Sequence, residues 1–206
     1  VTGVQTCALP ILLIPRPETE HLVEAVIGHL PANGQVWDLG TGSGAVAVTV
    51  ALERTDAVVR ASDISSGALA IARKNAETLG ARVEFALGSW FETDKTSSED
   101  KHRFDVIVSN PPYIEAGDEH LSQGDLRFEP QTALTDFADG LICIRELAQR
   151  APEFLKEGGW LLLEHGYNQG AAVRQILTAN GFAEVSTQQD LAGLDRLTLG
   201  MFRHVE

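Results

Sequence analysis

Gln35-Val36-Trp37-Asp38-Leu39-Gly40-Thr41-Gly42-Ser43-Gly44, followed by the Ala- and Val-rich run Ala45 to Leu52, decides the fold. A short apolar strand ends in a glycine turn that opens directly into a helix, the first unit of a parallel α/β sheet. Working downstream, Val58 to Asp63 reads as a second strand and Ser66 to Leu79 as an amphipathic helix capped by Ser65 or Ser66. Arg82 to Ala86 reads as a third strand. Upstream, Glu18 to Leu30 places Leu22, Val23, Val26, Ile27 and Leu30 at helical spacing and stops at Pro31 and Gly34. Beyond the polar, aperiodic stretch Thr93 to Arg103, the run Phe104 to Ser109 has the near-continuous apolar character of a strand buried on both faces. It breaks off at Asn110-Pro111-Pro112-Tyr113, and a long loop runs on through Asp139. A helix over Leu141 to Leu155, a strand at Trp160 to Glu164 and a helix at Ala171 to Asn180 closed by Gly181 follow. Strands at Ala183 to Gln188 and Arg196 to Phe202 complete an α/β fold of seven strands with no internal repeat.

The 206 residues suit one α/β domain. No apolar run approaches the roughly 18 to 20 residues of a membrane span, so no membrane partner is expected. A net charge of −13, from 16 Lys and Arg against 29 Asp and Glu, repels a phosphate backbone at long range. Residues Val1 to Ile11 (VTGVQTCALPI) match the translation of a common sequencing adapter residue for residue, and they lack the basic start and apolar run of a secretion signal. They are set aside, which makes residues 12–206 the folded unit and leaves Cys143, in a stretch that reads as a buried helix, as its single cysteine. One thiol forms no internal disulfide, which suits a reducing cytoplasm.

The glycine turn sits at the carboxyl edge of the first strand, where open α/β sheets bind ligands. Its spacing is G-x-G-x-G rather than the G-x-G-x-x-G of a dinucleotide pyrophosphate site, and Asp38 stands two residues before the first glycine. A carboxylate there repels a pyrophosphate and suits a ligand with an ammonium group, such as the methionine end of S-adenosylmethionine. Asp63, at the end of the second strand, can accept hydrogen bonds from both ribose hydroxyls. Gly40, Thr41, Gly42, Ser43, Gly44 and Asp63 are therefore candidate cofactor residues, although a plain tight turn and a helix-capping Asp63 would look the same. Ser89-Trp90-Phe91 follows the third strand, and there two readings stay open: aromatics bordering an adenine, or a cover over the end of the core.

Asn110-Pro111-Pro112-Tyr113 carries the reacting chemistry. The lone pair of a planar amide or aromatic amine is delocalised, so a methyl acceptor of this kind must be held firmly. The Asn110 side-chain oxygen and the Pro111 carbonyl can accept from one NH2 group and support the positive charge that grows on nitrogen. The two prolines stiffen the loop, and Tyr113 offers a face for a flat substrate group. An Asn-Pro turn that merely ends a strand is the plainer alternative.

With these segments in view, the chain resembles the HemK/PrmC family, the protein-(glutamine-N5) methyltransferases of release factors. The match rests on Ile14-Pro15-Arg16-Pro17-Glu18-Thr19-Glu20, Asp38 to Gly44, Asn110 to Tyr113, Gly124-Asp125-Leu126-Arg127-Phe128-Glu129-Pro130 and Leu161-Leu162-Leu163-Glu164-His165-Gly166. The resemblance implies a class I, Rossmann-like methyltransferase domain whose mostly parallel seven-stranded sheet ends in an antiparallel strand. It implies S-adenosylmethionine as donor, S-adenosylhomocysteine as product, and as acceptor the glutamine of a Gly-Gly-Gln loop in a peptide-chain release factor. Carried over by position, the cofactor would meet Gly40 to Gly44, Asp63, Trp90 and Asn110, while Asn110, Pro111, Pro112 and Tyr113 would hold the glutamine amide. The family's N-terminal helical domain is absent from this sequence, which is expected to weaken the grip on the partner more than the chemistry. A monomer is expected.

Asn-Pro-Pro-Tyr also occurs in N6-adenine and N4-cytosine methyltransferases of nucleic acids, but those need a basic groove, and the scattered Lys and Arg here do not supply one. A cofactor-binding scaffold without activity is a further alternative that the intact Asn110 to Tyr113 segment argues against. No metal site is expected, because the six His form no H-x-x-x-H pair and Cys143 stands alone. His165 reads as a structural histidine. Thr19 is a candidate helix cap, Arg16 and Glu18 stand just before that helix, and Glu129 and Pro130 are candidate substrate-rim residues.

Overall fold

The computed structural model describes residues 18–94, 104–117 and 131–203. Residues 1–11, Arg16 and the 124–130 segment lie outside them, as do the side chain of Glu18 and most of the predicted 93–103 connection. The elements, in order, are α1 (Glu18–His29), β1 (Gln35–Leu39), α2 (Ala45–Glu53), β2 (Val58–Asp63), α3 (Ser66–Leu79), β3 (Glu84–Leu87) and a 3-10 turn at Trp90–Thr93. There follow β4 (Phe104–Ser109), a short α4 (Gln131–Leu134), α5 (Ile142–Arg150), a 3-10 turn at Ala151–Glu153, β5 (Leu155–Glu164), α6 (Gly170–Ala179), β6 (Phe182–Gln189) and β7 (Asp195–Phe202).

One sheet holds all seven strands in the order β3-β2-β1-β4-β5-β7-β6. Pairing is parallel from β3 through β5, while β7 runs antiparallel to both β5 and β6. Strand order reverses between β1 and β4, the switch point where α/β sheets open a crevice at their carboxyl ends.

Alternation along the central strands divides the core into two layers. Val36, Val106, Val108 and Leu162 face a cluster with Leu22 and Val26 of α1 and Val46 and Val50 of α2. Trp37, Leu39, Ile107, Leu161 and Leu163 face the opposite cluster, with Ile144 and Leu147 of α5 and Val173 and Leu177 of α6. Because β1 and β4 are covered on both faces, each reads as a mostly apolar run, broken by Asp38 and Asp105, and their predicted bounds coincide with the observed ones.

Three predictions depart furthest from the structure. The helix read over Leu141 to Leu155 gives way to a 3-10 turn around Pro152, and Leu155 already belongs to β5. Strand β5 was expected to start at Trp160. Instead the register shifts between Phe104 and Val106, and Gly158, at φ +77°, lets the chain bulge without leaving the sheet. Thirdly, the long loop after Tyr113 contains α4, and Ile114 bridges Thr135 just beyond it. No described helix is long and apolar enough to cross a membrane. Cys143 lies half-buried on α5, and burial pushes its thiol up to about 11.

Candidate active site

The glycine spacing follows from the backbone. Gly40, Gly42 and Gly44 all take left-handed conformations, at φ +73°, +57° and +82°, and so alternate with residues of ordinary geometry. The turn is bolted to the strand beside it, since the N–H groups of Gly40 and Thr41 both donate to the Ser62 carbonyl, at 2.9 and 3.0 Å. From the helical side, Asn75 of α3 donates from Nδ2 to the Ser43 carbonyl at 3.0 Å. Asp38 braces the interior: Oδ2 accepts from the Thr41 hydroxyl at 2.6 Å and from the Ala47 N–H at 3.3 Å. Burial, the dominant cause, pushes the Asp38 carboxyl up to about 6 despite those two donors. Thr41 and Ser43 are buried while Gly40 and Gly42 remain partly open, so a ligand would meet the main chain of this turn.

Asp63 ends β2 beside the same turn. Its Oδ2 accepts from the Gly42 N–H and its Oδ1 from the Ser65 N–H, both at 2.8 Å. Each carboxylate oxygen still has a second acceptor direction. Ser65 in turn caps α3, its hydroxyl accepting from the Ala68 N–H at 3.2 Å.

The aromatic pair lies between the core and the glycine turn. Phe91 is 1% exposed and sits in the core, stacked on Phe154 at 4.6 Å and edge-on to Trp37 at 5.6 Å. Trp90, half-buried and held at φ +38°, packs against the same cluster, and its ring edge is 3.2 Å from where a Cβ on Gly40 would stand. A non-glycine residue in a left-handed conformation is strained, and such strain concentrates at functional sites.

Strand pairing brings the second loop to the first. Leu39 is the register partner of Ser109, and the Ser109 hydroxyl donates to the Leu39 carbonyl at 2.7 Å. Neighbouring strands lie roughly 4.8 Å apart, so Gly40 and Asn110, the next residues along, leave the sheet side by side. Asn110 Oδ1 is buried and has no hydrogen-bond partner among the described residues. Orphaned buried acceptors are uncommon in folded proteins, since each forfeits its hydration without return. Pro111 is buried, and Pro112 and Tyr113 are half-buried.

His165, read from the sequence as a structural histidine, is fully buried with both ring nitrogens engaged, Nε2 with the Thr198 hydroxyl at 2.7 Å and Nδ1 with the Gly166 carbonyl at 2.9 Å. Burial lowers its pKa, so it is a neutral structural link. Thr19 is buried within α1.

Sequence reasoning missed the groups that fix the loop beyond Tyr113. Gly140, Asp136 and Gln169 converge there: Asp136 accepts from the N–H groups of Ala138, Gly140 and Ile142, at 2.8, 3.0 and 2.8 Å. The run Asp136-Phe137-Ala138-Asp139-Gly140 carries a turn signature that points to such bracing, whereas nothing near Gln169 in sequence reveals its contacts across the fold.

The sequence profile of the methyltransferase small domain matches residues 18–126. A release factor glutamine methyltransferase of Neisseria gonorrhoeae is 72% identical over 193 residues, covering 94% of this chain and 70% of that protein. One from Xylella fastidiosa is 52% identical over 191 residues, covering 91% and 68%. Among solved structures, a methyltransferase from Pyrococcus furiosus superposes with a TM-score of 0.71 at 19% identity, over 100% of this chain and 91% of that one. The T. thermophilus 16S rRNA N2 G1207 methyltransferase, solved with AdoMet and guanosine, gives 0.65 at 21% identity, over 92% and 44%. These two likenesses establish the shared fold, while the close sequence relatives go further: the chain belongs to the release factor glutamine methyltransferase family.

Proposed function

We propose that this chain transfers a methyl group from S-adenosylmethionine to the side-chain amide nitrogen of the glutamine in the Gly-Gly-Gln loop of a peptide-chain release factor. The observation that carries the reading is the buried Asn110 Oδ1 at the mouth of the β1/β4 crevice, an acceptor without a partner among the described residues. An acceptor kept dry and unsatisfied in the free protein is ready for an N–H donor from a substrate, and a primary amide has two. The Pro111 carbonyl takes the second N–H. Held at both hydrogens, the amide can turn its nitrogen lone pair toward the donor, and the two oxygens stabilise the positive charge that develops during attack. Once methylated, the nitrogen is acidic enough to lose its proton without a strong base.

The residues across the crevice fit the donor. Its sulfonium supplies an electrophilic methyl group. The open main chain at Gly40 and Gly42 admits close approach, Asp38 offers a carboxylate to an ammonium group, Asp63 has acceptor directions left for a ribose, and Trp90 borders the turn. The names of the curated relatives support the acceptor. The surplus of acidic residues disfavours a nucleic-acid strand in its place, which supports a protein partner in the cytoplasm.

Mass spectrometry of a release factor incubated with this protein and S-adenosylmethionine tests the reading. One added methyl group on the loop glutamine is expected, with none on an oligonucleotide control. Modification at another residue, or of the oligonucleotide alone, refutes it.

A further inference from the structure

We propose that Gln169 is a positioning residue for methyl transfer, its carboxamide tying the far end of the Asn110–Tyr113 loop to the β5–α6 connection so that Asn110 Oδ1 stays aimed. The inference rests on the function proposed above and adds a residue to it. Three separate segments meet at this one amide. Nε2 donates to the Tyr113 carbonyl at 2.9 Å and, more weakly, to the Gly140 carbonyl at 3.4 Å, while Oε1 accepts from the Gly166 N–H at 2.9 Å. The orientation of the amide is chemically forced, because turning it over would set an oxygen against two carbonyls.

Its neighbours are shaped around the contact. Gly140 takes φ +72°, and a Cβ there would collide with the Tyr113 carbonyl and stand 2.7 Å from Gln169 Nε2. Only glycine lets the 136–142 turn come this close. Gly166 is held from behind, its carbonyl accepting from the His165 ring and from the Gln169 N–H at 2.9 Å each. A neutral His165 donates at Nδ1 and so accepts the Thr198 hydroxyl at Nε2, which makes the support independent of pH across the physiological range.

The need for such a tie follows from where the loop is fixed. Its near end is secured by strand pairing and by the Ser109 hydroxyl, and its middle is stiffened by Pro111 and Pro112. Beyond Tyr113 the main chain is held by the Ile114 N–H on the Leu134 carbonyl and the Ala116 N–H on the Ala138 carbonyl, at 2.9 and 2.8 Å. Gln169 joins these two anchorages at the residue that ends the motif. Without its donor the Tyr113 carbonyl can rotate away, and the Asn110 and Pro111 acceptors shift with it.

Gln169→Glu tests the donor, since it keeps the shape and the acceptor but presents an ionised oxygen to two carbonyls. The expected result is a fall in kcat of about 10- to 100-fold, the scale of an ångström of misalignment, with KM for the release factor little changed and S-adenosylmethionine binding retained. Activity of this variant rises again as pH falls and the introduced carboxyl protonates to become a donor, a rise absent from the starting protein. Gln169→Met, uncharged and of similar shape, loses kcat at every pH, and hydrogen exchange at the Ile114 amide quickens in both variants. Unchanged kcat and unchanged Ile114 exchange in Gln169→Glu would overturn the inference, as would a loss confined to KM. If the starting protein fails to methylate a release factor, the functional reading falls by itself, and the Ile114 exchange rates still decide whether Gln169 holds the loop.

Discussion

Replacing Asn110 with alanine separates what this residue does for the fold from what it does for the reaction. A buried acceptor without a partner costs a folded protein about 1 to 3 kcal/mol, and Asn110 Oδ1 is such an atom. Truncation removes that penalty together with a small, mostly polar side chain, so little apolar burial is lost to offset the gain. Net stability should stay level or rise by up to roughly 2 kcal/mol, and for a domain of this size each kcal/mol moves Tm by about 2 to 4 °C. Methyl transfer should move the opposite way: losing one preorganised acceptor of developing charge costs on the order of 10²- to 10³-fold in kcat. Urea denaturation of the ligand-free protein gives the first quantity and initial-rate methylation of a release factor the second. A destabilisation greater than about 1 kcal/mol would mean that the oxygen serves the native fold after all. A fall in kcat of less than about tenfold would mean that it is not aligned on the acceptor nitrogen.

Gly44→Ala tests the turn: at φ +82°, with a Cβ that would lie 3.1 Å from Ala72 and 3.2 Å from Val48, it forces backbone strain and a parting of α2 from α3. The expected loss is about 2 to 4 kcal/mol in denaturation, with weaker S-adenosylmethionine binding by calorimetry; wild-type stability would show that the glycine is dispensable. Asp38 sets a pH dependence. Its folded pKa, about 6 against an ordinary 3.8, means the native state holds the proton more tightly, so the contribution of Asp38 to stability is fully present below about pH 4 and is lost as pH rises through 6. At roughly 1.4 kcal/mol per pKa unit, Asp38→Asn should relieve at most on the order of 3 kcal/mol at neutral pH and flatten that decline. With Asp38 in the proposed donor site, donor affinity should instead climb through the same window in the starting protein as its carboxyl ionises, and the climb should vanish in the variant. An unaltered pH profile of affinity would remove Asp38 from the donor site.

What could be read from the sequence divides along local and long-range lines. Strands β1 and β4 were legible because burial on both faces leaves a mostly apolar run with sharp glycine, serine or proline boundaries, and β2, though open at Val58 and Arg60, was read at its observed bounds as well. Edge strand β3, only half-covered, gave a weaker pattern and lies at Glu84–Leu87 rather than at Arg82 to Ala86. The first half of β5 was missed because a bulge at Gly158-Gly159 separates it from the apolar run that starts at Trp160. At the site, the spacing of Gly40, Gly42 and Gly44 carries its own explanation in three left-handed conformations, and Asn110 stood out by following a buried strand. Gln169 did not, because its meaning lies in two carbonyls 56 and 29 residues away and in no pattern around it.

The hydroxyl of Ser109 on the carbonyl of Leu39 has an evolutionary corollary. It welds two adjacent strand ends into a single rigid ledge, so the span between methyl source and methyl recipient is inherited with the sheet and does not depend on the surface loops. Descendants of such a scaffold can exchange one recipient for another by rebuilding only the rim, leaving the distance of the jump untouched.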